Sequence, residues 1–206
     1  MNFQCHWDAT VVSSTAIDVI VLLSIIVMFA LYAIRHYRNE EKLRSKAYWL
    51  GAVIFVIVLV FPALFCPLNV SLQNESISIH RIKGDIVIPL DDIMEIRMVN
   101  GSDTKNGTRN FGSGGSFGYL GKFSSPKLGN YQMYATDASK MILVKNKKEE
   151  YIIFSCDKPE ELIGMVKQSV GDYAKAFRVQ TKNGKNYVFS CENRDLVINT
   201  IKKQIQ

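Results

Sequence analysis

The residues able to do chemistry are few and widely spread. His6, His36 and His80 and the four cysteines, Cys5, Cys66, Cys156 and Cys191, show none of the short paired spacings by which metal ligands cluster. No metal site and no cofactor is therefore expected. Cys156 and Cys191 end two similar segments, so a disulfide between them is one reading and two buried free thiols the other. Asp91-Asp92 is an acidic pair of the kind used for acid–base work, but it stands just before an expected strand and reads as a solvated turn. No nucleophile–base–orienter set can be assembled from the remainder, and the chain is not expected to be an enzyme.

A second feature with chemical potential is the glycine-rich stretch FGSGGSFGYLGKF, residues 111–123. Such stretches cradle phosphates when they lead from a strand into a helix N-terminus. A dinucleotide fingerprint starting at Gly112 would need glycine where Phe117 stands. A P-loop ending at Gly121-Lys122 would need glycine at Ser116 and a hydroxyl residue at Phe123. With nucleotide binding disfavoured, the stretch reads as a long loop whose glycines permit unusual backbone angles. Its aromatic residues either pack on the domain or form a recognition lip, with Phe117 and Tyr119 as the ligand-contacting candidates.

These residues must be positioned by two very different parts of the chain. The mean hydropathy of +0.04 averages over them. Ahead of Pro67 lie two apolar runs, Ala16 to Ile34 and Trp49 to Phe65, each close to the ~20 residues needed to cross ~30 Å of hydrocarbon. No basic residue precedes the first run and no small-x-small pattern follows it, which argues against a cleaved signal peptide. The expected plan is an N-terminal tail, 1–15, then a two-helix transmembrane anchor, 16–66, with a basic loop at 35–48. Arg35, Arg38, Lys42, Arg44 and Lys46 in that loop place it in the cytoplasm and the C-terminal domain on the outer side. The formal net charge of +6 is too modest to argue for nucleic-acid binding.

After Val70 the pattern changes to short runs bounded by turn residues, which reads as antiparallel sheet. Strands are expected from Val70 through Ile79, then at 86–90, 94–99, 131–135, 141–145 and 151–155. Lys83-Gly84-Asp85 supplies a turn, and Asn100-Gly101 and Asn106-Gly107 mark loop. DKPEELIGMVKQSV, from Asp157, begins with a cap and a first-turn proline and aligns Leu162, Ile163, Val166 and Val170 on one helical face.

Short strands closed by one amphipathic helix resemble the pleckstrin-homology (PH) plan, and ISIHRIKGDIVIPLDDIMEIRMV is similar to the opening of bacterial PH-like domains. NFGSGGSFGYLGKF with LGNYQMYATD resembles a subgroup found in Bacteroidetes-type membrane proteins. The resemblance covers about Val70 to Val170, within a PH-like domain expected at 67–170, and implies the fold. That fold is a two-helix transmembrane hairpin, then an α+β PH-like antiparallel β-barrel with a C-terminal amphipathic helix. It also implies a multi-pass protein of a bacterial cytoplasmic membrane and a non-catalytic module for protein association or self-assembly there. The alternative is an anionic lipid-headgroup binder. Headgroup-binding PH domains use basic residues in the first hairpin, which transfers here only to Arg81 and Lys83.

An internal repeat is visible without any resemblance. VKNKKEEYIIFSCDKPEELIGMVKQSV, from Val144, aligns without gaps on VQTKNGKNYVFSCENRDLVINTIKKQI, from Val179, so residues 175–206 repeat a strand–strand–helix unit. A barrel needs that unit once. The second copy's helix, with Val197, Ile201 and Ile205 on its apolar face, is expected either to dock on a protein partner or a second copy of the chain or to pack within its own chain.

Overall fold

The computed structural model describes residues 1–39, 41–73, 75–174, 176–180 and 186–190, with side chains through Ser169. The expected docking helix, with Val197, Ile201 and Ile205, lies outside the described residues, as does Cys191.

Two helices, α1 (Ala9–Arg38) and α2 (Lys42–Ala63), are long and apolar enough to cross a membrane. Both exceed their apolar runs. Of the segment 35–48, expected as a loop, residues 35–38 and 42–48 are helical, because its Lys, Arg, Glu and Ala residues are good helix formers. Glu41 closes the turn by accepting from His36 Nδ1 at 2.8 Å and Arg44 Nη1 at 3.0 Å. Small residues let the helices approach: Ala33, Ser45 and Ala52 are buried, and Ser45 Oγ donates to the Ala33 carbonyl at 2.8 Å. A Cβ on Gly51 would stand 2.4 Å from the Phe29 ring. Outward residues such as Ile20, Leu31, Leu50 and Ile57 are exposed, which fits association with a membrane.

The rest of the described chain is sheet-rich. One sheet has the order β1-β2-β3-β4, formed by β1 (Asn2–Gln4), β2 (Pro67–Gln73), β3 (Ser76–Arg81) and β4 (Ile86–Pro89). The other comprises β5 (Ile93–Met98), β6 (Thr108–Gly115), β7 (Gly118–Ser125), β8 (Gly129–Ala135), β9 (Met141–Asn146) and β10 (Tyr151–Ser155), in the order β5-β9-β10-β8-β7-β6. A short helix, α3 (Gly101–Thr104), leads from β5 to β6, and α4 (Pro159–Ala174) follows β10. β11 (Ala176–Gln180) and β12 (Asn186–Ser190) pair antiparallel by themselves.

Five features differ from the expected plan. The barrel is not closed; its strands form two separate sheets. β8 and β10 run parallel, Tyr151 facing Tyr131 and Phe154 facing Tyr134. The glycine stretch read as loop is the β6–β7 hairpin, and the run from Val70 to Ile79 is the β2–β3 hairpin. The tail 1–15 is structural: β1 pairs with β2, Phe3 is 2% exposed, and residues from Ala9 belong to α1.

The main core gathers Phe3, Ile77, Ile79, Ile142, Val144 and Phe154 beneath Leu162, Ile163 and Val166 of α4. Neighbouring residues on β9 and β10, Leu143 and Ile153, point the opposite way into a second cluster with Tyr131 and Met133. Burial on both faces accounts for the nearly unbroken apolar runs of these two strands.

Candidate ligand site at the junction of helix and sheet

Only three residues, Leu64 to Cys66, separate α2 from β2, so the last turn of the helix is held against the sheets. The β3–β4 turn folds back onto it. The Lys83 N–H donates to the Leu64 carbonyl at 2.9 Å, and Lys83 Nζ lies 4.3 Å from the centre of the Phe65 ring. Arg81 Nε donates to the Gly84 carbonyl at 3.0 Å while its guanidinium lies 5.0 Å from the centre of the Tyr134 ring. Both basic residues expected from the sequence are thereby brought to the end of α2.

The β6–β7 hairpin supplies the facing side. Register places Phe111, Lys122 and Gln132 in one cross-strand row and Ser113, Leu120 and Tyr134 in the next. The first row is exposed, whereas Leu120 is buried and Ser113 and Tyr134 are half-buried. Between the rows Gly112 faces Gly121. A Cβ on Gly112 would stand 1.9 Å from the Leu120 carbonyl oxygen, and one on Gly121 2.3 Å from that of Phe111. Positive φ at both positions, +116° and +117°, adds a second reason for glycine.

The hairpin tip rests on α1. The Phe117 N–H donates to Thr15 Oγ1 at 2.7 Å, and its ring meets Trp7 edge-on at 6.1 Å. Tyr119 is half-buried beside the second core cluster. The structure thus places Phe117 and Tyr119 apart from Arg81 and Lys83. The hairpin residues that do join the basic pair are Phe111, Leu120 and Lys122. Their signal was the alternation of side chains along residues 111–113 and 120–122, hidden by glycines that read as loop.

Between these parts lies a cavity of about 430 Å³. Phe61, Pro62 and Phe65 of the helix end line it together with Phe111, Leu120 and Tyr134, and Arg81 and Lys122 are among its few polar residues. Among the described residues, Arg81, Lys83 and Lys122 make no ion pair with a carboxylate. Tyr134 donates from its hydroxyl to Gln132 Oε1 at 2.8 Å, and burial raises its pKa, so it stays a neutral donor. Apolar surface with uncompensated cations suits an anionic amphiphile.

The other titratable groups have structural partners. His80 bridges Ser71 and Asp85, each at 2.8 Å, and Asp91 and Asp92 lie in a 3-10 turn. Cys5 donates to the Ser155 carbonyl at 3.3 Å. Burial pushes its thiol up to about 12, and those of Cys66 and Cys156 up to about 11, which makes all three poor nucleophiles at neutral pH. No group of three metal-ligating side chains occurs among the described residues.

Residues 68–170, half of the 206-residue chain, match the family described as Bacterial PH domain, and the chain belongs to that family. No curated protein and no solved structure matches it.

Proposed function

We propose that this bacterial PH domain chain is a non-catalytic, membrane-anchored interaction module that binds an anionic lipid headgroup at the junction of α2 with the sheets. The carrying observation is the set of three cations, Arg81, Lys83 and Lys122, that have no acidic ion-pair partner among the described residues and stand around the end of a helix long and apolar enough to cross a membrane. In this reading α1 and α2 cross a bacterial cytoplasmic membrane. The basic turn between them stays inside, and the domain lies outside. Ile82, 62% exposed beside Lys83, and Phe111, 67% exposed, supply apolar contact with the bilayer surface. The glycine-rich segment supports placement in the Bacteroidetes-type subgroup.

The test is thermal unfolding of the full chain in neutral detergent doped with anionic or zwitterionic phospholipid. Anionic lipid should raise Tm, the rise should shrink at high salt, and Arg81→Ala with Lys122→Ala should remove most of it. Equal shifts from both lipids would sink the headgroup reading.

A protein-association reading rests on a different observation. Among the described residues β6 is the last strand of its sheet, and its residues from Thr108 to Gly112 are exposed, a surface suited to strand pairing. Residues 175–206, with Val197, Ile201 and Ile205, would add a docking helix. If the detergent-solubilised assembly keeps its size after deletion of 175–206, that contribution is excluded.

A further inference from the structure

We infer that the junction cavity holds one acyl chain of an anionic phospholipid drawn from the adjacent leaflet, with the headgroup on Arg81 and Lys122. This rests on the headgroup reading and adds what the cavity itself does.

The cavity's own surfaces carry the argument. Phe61 and Pro62 belong both to the cavity and to the last turn of α2, and Phe65, also in the cavity wall, follows just after it. With that helix in a membrane, the cavity opens where lipid chains begin. Its opposite side is three strands wide and two residue rows deep, roughly 10 Å by 7 Å at ordinary strand spacing. That accommodates part of one extended alkyl chain. The volume of about 430 Å³ is near the small end of ligand cavities, so the second chain of a phospholipid stays in the bilayer.

Charge selects the lipid. A chain moving from bilayer hydrocarbon to an apolar cavity changes one apolar environment for another and gains little. Preference must then come from the head. Arg81 is held in place by the Gly84 carbonyl and the Tyr134 ring and, among the described residues, makes no ion pair with a carboxylate, and Lys122 stands exposed in the outer row beside Gln132. A phosphate there gains charge-assisted hydrogen bonds that a zwitterionic head partly cancels with its own cation. A bilayer lipid is favoured over a free fatty acid because the cavity is continuous with the membrane helix.

The experiment uses the full chain in nanodiscs of zwitterionic lipid containing a trace phospholipid with a diazirine midway along one acyl chain. After photolysis, peptide mapping locates the adducts. The expected result is adducts on residues 61–65 and 111–122, with the anionic probe about tenfold above the zwitterionic one. Leu120→Trp, which narrows the cavity, should reduce them severalfold. Phe111→Ala, at an exposed position, should reduce them and decides the matter if the tryptophan variant does not fold. Adducts confined to the outward faces of α1 and α2 with both probes would overturn the inference. Were anionic lipid still to raise Tm in that case, the headgroup reading would survive alone. If it did not, both would fall. Displacement of the adducts by excess free fatty acid would overturn the assignment to phospholipid, and persistence would support it.

Discussion

At Asp103 a carboxylate with no exposed surface is held by Arg97 Nη1 and by Lys127 Nζ, the latter at 2.7 Å, and accepts from the Asn100 N–H at 2.8 Å. Arg97 is the largest cause, with Lys127 and Asn100 behind it, of a pKa far below the usual carboxylate range. From sequence the stretch 100–107 reads as loop, because Asn-Gly marks turns. Asn100 instead opens a capped turn of helix whose buried Asp103 ties β5 to the loop after β7. Breaking such a pair is costly, but Lys127 is half exposed and Arg97 partly so, which discounts the loss to about 2 kcal/mol for Asp103→Asn. A carboxyl with a depressed folded pKa stabilises above its unfolded value of ~3.9, and that stability is lost as pH falls through the folded value. Denaturation of wild type and variant should therefore differ most at neutral pH and converge in strong acid. A gap that does not change with pH would contradict this account.

Among the elements, the β6–β7 hairpin depends on glycine more than any other described strand pair. Gly112→Ala or Gly121→Ala must both accept a positive φ and push a backbone carbonyl away, at a cost of about 1–3 kcal/mol or more. The same exchange at Gly164 in α4 meets nothing within 4 Å. It should stabilise by about 0.5–1 kcal/mol through helix propensity. Melting temperatures of the three variants in one detergent test the contrast, and a uniform response would show that the close approach in the hairpin is unimportant.

For the whole molecule, the outer ends of the helical pair are built into the sheet domain. The terminal ammonium donates to the Leu72 carbonyl at 2.9 Å. Asp8 caps α1 through Val11 at 2.7 Å and also accepts from the Ala138 N–H at 2.9 Å. With α2 running almost directly into β2, both helix ends meet the domain on one side, so the domain and N-terminus must share a side of any membrane the helices cross. If that side is the outer one, a reporter cysteine at the exposed Lys148, with native cysteines replaced, should react with an impermeant reagent once the outer barrier is opened. Protection until the inner membrane is lysed would place the domain in the cytoplasm.

The two long helices, α4, and the strands from Ile86 to Ser155 other than the glycine pair were legible in the chain itself. Hydrocarbon demands long unbroken apolar runs, half-buried strands demand alternation, and both leave periodic marks. What had no such mark was decided by partners distant in sequence. Asn2-Phe3-Gln4 is too short to show a period and becomes a strand because β2 offers it an edge. Glycine weakens a strand pattern, and only the pairing of Gly112 with Gly121 turns that weakness into a close-packed hairpin. The parallel pairing of β8 with β10 and the gap between the sheets depend on long-range register, which local spacing does not encode. The junction cavity shares that origin, since it exists only where α2, β3 and the glycine hairpin meet, and no one of them carries it alone.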